Sequence, residues 1–189
     1  MPMAVAIRRH RFTADEYQQM GRAGILRPDV RVELIDGDVV TRMTIGPRHN
    51  AAVNRLNRLL MRLAGDAAIV QVQGSVRLDL YSEPEPDVVL LRPRDDDYAS
   101  ALPGPADILL VVEAADSSLE YDRIAKAALY ARCGVAEYWL IDVVAEVVTR
   151  FREPVDGQYR RVEAVPAGMP FAPERLPACR LTAADIFGR

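Results

Sequence analysis

Two unbroken apolar runs constrain this chain more than any other feature. Pro86–Leu91 reads Pro-Asp-Val-Val-Leu-Leu, and Ile108–Val112 reads Ile-Leu-Leu-Val-Val. Runs of this kind are central strands covered on both faces, which calls for a sheet with helices packed against each side. The neighbouring segments supply those layers. Thr13–Met20 reads as a short helix capped by Thr13, with Glu16 three residues on. Arg31–Met43 reads as a hairpin around Asp36-Gly37, a strong type I′ turn signal. His49–Ala64 carries Val53, Leu56, Leu60 and Leu63 at helical spacing and stops at Gly65. Ala68–Gln73 and Ser75–Leu80 alternate apolar with polar, as half-exposed strands do. The stretch 92–105 is a loop by composition.

Ser117–Glu120 has the capping-box pattern, opening a helix that runs to Cys133 with Gly134 as its stop. Val135–Asp142 is a strand, Val143–Glu153 its hairpin partner, Gln158–Val165 an edge strand and Thr182–Phe187 a short capped helix. From 49 to 142 the order is α-β-β-β-α-β, with 75–80 as a further short strand. The expectation is an α/β fold of the α+β, mixed-sheet kind in a single domain over 1–189, with its core at about 49–142, an N-terminal hairpin and a C-terminal β extension.

Composition narrows the classes of function. Half of the 189 residues are hydrophobic, enough for one core. No apolar run approaches the ~20 residues that span a bilayer. Met1–Ile7 is too short for a signal sequence, and Arg8, Arg9 and Arg11 follow the apolar stretch instead of preceding it. Cys133 and Cys179 lack metal-ligand spacing and read as ordinary thiols in a reducing cytoplasm. The net charge of −3 argues against a protein that coats nucleic acid by bulk charge, but not against an enzyme that confines positive charge to one groove. Arg55, Arg58 and Arg62 lie beside the helical stripe, as a solvated face or as an edge that touches phosphates.

The chemistry gathers at the ends of the apolar runs. Asp87 opens one and Glu113 closes the other. A carboxylate beside a buried strand is costly unless it is paired or coordinates a metal. If the strands are antiparallel neighbours, both acids share one rim of the sheet. Clustered carboxylates repel unless a cation lies between them, and oxygen ligands suit Mg²⁺ or Mn²⁺. The alternative is that each merely ends a strand and faces water. Of the 24 basic residues all but one are arginine; the exception is Lys126, whose compact ammonium is a different tool from a guanidinium. Asp122, Lys126 and Tyr130 recur four apart and share a helical face, where Asp122 and Lys126 could equally form a surface ion pair.

Several stretches together resemble a known family. They are Glu33–Asp38 (Glu-Leu-Ile-Asp-Gly-Asp), Arg48-His49, Pro86–Leu90, Val112-Glu113, Tyr121–Tyr130 and Gly134–Asp142. In order and spacing they resemble the Uma2 family (DUF820) of the PD-(D/E)XK, or restriction-endonuclease-like, superfamily, from about Thr13 to Phe187. The resemblance implies a restriction-endonuclease-like core and metal-dependent hydrolysis of phosphodiester bonds, with DNA as the expected partner. It implies that Asp87 and Glu113 bind Mg²⁺ or Mn²⁺ and that Glu33 is a further acidic member. His49, Tyr130 and Asp122 would support the ligands or position substrate. The superfamily lysine two residues after the second acid is absent, because the triplet here is Glu113-Ala114-Ala115; the implied substitute is Lys126 on the following helix. Ala115-Asp116-Ser117-Ser118 also replaces the family's Ser-Pro-Ser-Thr-like turn. Superfamily nucleases often pair, and the β segments at 143–165 offer an edge for a homodimer. Two other readings share this site: a nuclease-fold binding or assembly module without efficient catalysis, and a hydrolase of RNA or small phosphate esters.

Overall fold

In the computed structural model, which describes residues 9–27, 29–42 and 45–189, the two apolar runs lie side by side at the centre of a six-stranded sheet. Met1–Arg8, Pro28, Met43 and Thr44 lie outside the described residues, and with them the N-terminal leader reading and the last residue of the expected hairpin. The elements, in chain order, are α1 (Ala14–Arg22), β1 (Val32–Ile35), β2 (Asp38–Thr41), α2 (Pro47–Ala64), β3 (Ile69–Val72), β4 (Val88–Leu91) and β5 (Ile108–Ala115). They continue with α3 (Leu119–Tyr121), a π-helical turn (Asp122–Lys126), α4 (Ala127–Arg132), β6 (Glu137–Asp142), β7 (Val147–Val155), β8 (Gln158–Ala164) and α5 (Ala183–Phe187).

The sheet order is β3-β4-β5-β6-β7-β8, antiparallel throughout except for the β5–β6 pair. A parallel pair needs a crossover, and the α3–α4 segment supplies it. Strand alternation then sorts the core into two layers. Val88, Leu90, Leu110, Val112, Trp139 and Ile141 pack with Val53, Leu56 and Leu60 of α2. Val89, Leu91, Val111, Tyr138 and Leu140 pack with Leu129 and Tyr130 of α4. The central strands are covered on both faces, as their unbroken apolar character requires.

Three local expectations change. Ser75–Leu80 is not a strand. Its Val76 and Leu78 are buried, as alternation predicts, but its amides bond to Pro84 O, Pro103 O and Ser82 O. The partner segment is rich in prolines, which have no N–H to return, so no ladder forms. The Ser117–Glu120 capping box is also absent. Ser118 caps the helix without a side-chain bond to its amides, and its hydroxyl instead donates to Asp122 Oδ2 at 2.6 Å. Finally, Glu113 does not end its strand: β5 runs on to Ala115, held by parallel pairing of Ala114 with Ile141 and Ala115 with Asp142.

The hairpin β1–β2 is separate from the main sheet and docks on the segment that leads into β4. Leu34 and Glu83 exchange backbone bonds at 3.3 and 2.8 Å, and Gly37 N donates to Tyr81 O at 2.7 Å. Asp36 and Gly37 both have positive φ, 53° and 86°, as a type I′ turn demands. A Cβ at Gly37 would lie 2.6 Å from Arg11 Cβ. Gly37→Ala is therefore expected to cost about 1–2 kcal/mol, read as a lower urea midpoint, because both φ and the space around it are wrong for alanine.

Candidate active site

The pairing of β4 with β5 places the start of one strand against the far end of the other. Val88 faces Val112, so Asp87 arrives beside Glu113 and its amide donates to Glu113 Oε2 at 3.3 Å. Both residues are 2 % exposed. The site is completed from three other directions: β1 brings Glu33, α2 brings His49, and the π-helical turn brings Lys126.

Each acid has its own partners. Asp87 Oδ2 lies 2.9 Å from His49 Nε2 and accepts the Ala114 amide at 2.9 Å, while Oδ1 accepts from Arg42 Nη2 at 3.0 Å. Glu113 Oε1 accepts from Lys126 Nζ at 2.8 Å and from the Tyr130 hydroxyl at 2.7 Å. Lys126 also lies 3.1 Å from Glu33 Oε2, which in turn accepts the Glu85 amide at 3.3 Å. The lone lysine is thus clamped between two acids, and its partners are Glu113 and Glu33 rather than Asp122. Asp122 is turned to Ser118 instead. The π-helical turn accounts for this change. Its wider i→i+5 winding departs from the α-helical spacing that would have aligned Asp122 with Lys126.

All of these groups except Tyr130 and Glu85 line a cavity of about 240 Å³, together with Val40, Ile45 and Tyr121. Its lining carries Glu33, Asp87, Glu113, Asp116 and Asp122 against Arg42 and Lys126, so acid outweighs base. The proton affinities reflect that balance. Burial drives the Glu113 carboxyl up and Lys126 opposes it, but the nearby charges of Asp87 and Asp122 add to the rise, leaving it at about 7. Asp122 is likewise raised by burial. Asp87 goes the other way: burial would raise it, yet the bond and charge of His49, with Arg42, bring it below the usual carboxylate range. Burial pulls the Lys126 ammonium down, but Glu113, Glu33 and Asp122 more than compensate, so it is held protonated.

Of the residues expected from sequence, Asp87, Glu113, Lys126, Glu33, His49 and Tyr130 converge through direct contacts, and Asp122 lines the same cavity. Arg42 was not anticipated. The Asp36-Gly37 turn sets Glu33 opposite Val40. Arg42 lies two residues beyond Val40, on the same face of the ribbon, which was the available signal. Two polar atoms are buried here without a hydrogen-bond partner among the described residues, Arg42 Nη1 and His49 Nδ1. The arginines read as a possible phosphate edge divide: Arg55 reaches the C-terminal end of α5, with Nη1 3.5 Å from Ile186 O, whereas Arg58 and Arg62 are exposed. Cys133 and Cys179 are free thiols. No helix among the described residues is long and apolar enough to cross a membrane.

The mixed six-stranded sheet with its flanking helices has a counterpart among solved structures. The fold matches a crystal structure from Anabaena variabilis described as "a putative nuclease belonging to DUF820", with a TM-score of 0.72 over 94 % of this chain and 98 % of that one, at 17 % identity. The sequence carries the signature of Uma2, described as "Putative restriction endonuclease", over residues 14–184, and the chain belongs to that family. No curated protein matches it.

Proposed function

We propose that this chain is a divalent-metal-dependent endonuclease that hydrolyses phosphodiester bonds in DNA. The observation that carries the reading is the meeting of Asp87, just before β4, with Glu113 of β5 and Lys126 of the π-helical turn in the lining of one cavity. The family's description as a restriction endonuclease directs the choice of DNA.

The donor chemistry fits a hard cation: the wall offers carboxylate oxygens and an excess of negative charge. Asp87 and Glu113 would hold Mg²⁺ or Mn²⁺, with Glu33 the nearest further acid. When bound, the ion supplies Lewis-acid polarisation of the phosphoryl group. Lys126, protonated and fixed by Glu113 and Glu33, stabilises the negative charge that develops on the phosphate and orients the attacking water. It acts as a positive charge, not as a proton acceptor. His49 and the Ala114 amide fix the Asp87 carboxylate, and Tyr130 fixes Glu113.

A second reading, a nuclease-fold binding module, draws on a specific observation. Among the described residues no three His, Cys, Asp or Glu side chains stand together as a ready metal site, and the oxygens of Asp87 and Glu113 already have partners. One experiment separates the two. Purified protein with supercoiled plasmid and Mg²⁺ or Mn²⁺ is expected to yield nicked and linear DNA, and EDTA is expected to suppress both products. Intact plasmid, together with no heat of Mn²⁺ binding in calorimetry, would favour the binding module. An RNA and a small phosphodiester run in parallel assign the substrate class.

A further inference from the structure

The acidic cavity poses a problem for any phosphodiester substrate. With five carboxylate residues against two cationic ones in its lining, it repels a phosphate backbone at long range. Affinity for a polyanion has to come from elsewhere on the surface, close enough to deliver a phosphate to Asp87.

A second concavity lies immediately beside it, with the opposite charge. This groove, of about 660 Å³, lies between the first turns of α2, the β6–β7 turn and the residues after α5. Consecutive residues divide the two spaces: Gly46 and His49 line the cavity, whereas Pro47 and Arg48 line the groove. Three arginine side chains, Arg48, Arg55 and Arg189, stand in the groove lining against a single acidic side chain, Glu146. That acid is already ion-paired with Arg189. In a chain of net charge −3, this is a local concentration of positive charge next to the proposed reacting centre.

We infer that this groove is the docking surface for the DNA backbone flanking the scissile phosphate, with Arg48 as its principal phosphate contact. The inference rests on the nuclease reading for its orientation, since it takes the cavity as the place where the strand is cut. Charge complementarity selects the occupant, because a polyanion gains in the groove what it loses at the cavity mouth. Arg48 is singled out because it is exposed on the groove wall, whereas the other two arginines are committed. Arg55 lies against the backbone at the C-terminal end of α5, where a Cβ on Gly188 would come within 2.6 Å of its Cζ. Arg189 is held by Glu146. A phosphate contact needs a charge and not a fork, so lysine should serve at position 48 as well as arginine.

The test is binding of a labelled duplex of about 20 base pairs, followed by fluorescence anisotropy in EDTA across a salt series, with plasmid cleavage measured alongside. Arg48→Glu is expected to weaken duplex binding tenfold or more, and Arg48→Ala to lower the slope of log affinity against log salt by about 1. Arg48→Lys is expected to bind as the unaltered protein does. Thermal melting of the three variants is expected to coincide, since the side chain is exposed. Unchanged affinity and slope in Arg48→Glu and Arg48→Ala would overturn the inference, as would failure of the unaltered protein to bind the duplex. If the duplex binds in the Arg48-dependent way but plasmid remains uncut, the groove stands and the nuclease reading fails.

Discussion

Asp87→Asn is expected to lower plasmid cleavage by about 10³-fold or more, the largest loss of any single change in this protein. The substitution keeps the shape of the side chain and its ability to accept the Ala114 amide, but removes the negative charge. That charge is the one the site takes most trouble to maintain, because His49 and Arg42 hold Asp87 ionised despite 2 % exposure. The loss should therefore appear in metal affinity as well as in turnover, and calorimetric titration with Mn²⁺ checks the first independently of the second. Cleavage near the unaltered rate would remove Asp87 from the metal site.

Lys126→Met is expected to have two separable effects. Cleavage should fall by about 10²–10³-fold, the usual consequence of removing one group that stabilises transition-state charge. Folding stability should fall by about 3–5 kcal/mol, because Glu113 and Glu33 lose the cation that lies 2.8 and 3.1 Å away and remain buried without it. Urea unfolding measures the second effect, and cleavage at a temperature where the variant is fully folded measures the first. Lys126→Arg should restore little activity, since a planar guanidinium cannot take the place of a compact ammonium between two acids. A Lys126→Met protein as stable as the parent would mean that the clamp contributes nothing to folding.

What could be read from the amino acids depended on how local the causes were. Pro86–Leu91 and Ile108–Val112 declared themselves as central strands because burial on both faces leaves no polar position in between. Asp87 and Glu113 were legible for the same reason, as charges placed where such strands tolerate none without partners. The hairpin followed from Asp36-Gly37, whose backbone geometry few other pairs adopt. Ser75–Leu80 misled because alternation reports which side chains are buried but not where the amides find acceptors; prolines 84 and 103 decided that. The partners of Lys126 were hidden because a π-helical turn leaves no mark on a sequence read at α-helical spacing. Arg42 stayed unseen because its partner, Asp87, lies on a different sheet, and only the docking of the hairpin brings them within 3.0 Å.

Ala115, two residues after Glu113, is fully buried in the layer beneath α4 and packs with Leu129, Tyr130 and Leu140. That strand position answers to volume alone, while the cation paired with Glu113 comes from the π-helical turn that precedes α4. The two duties are thereby separately replaceable: drift in the sheet after Glu113 need not disturb the cation, and drift in the helix need not disturb the core.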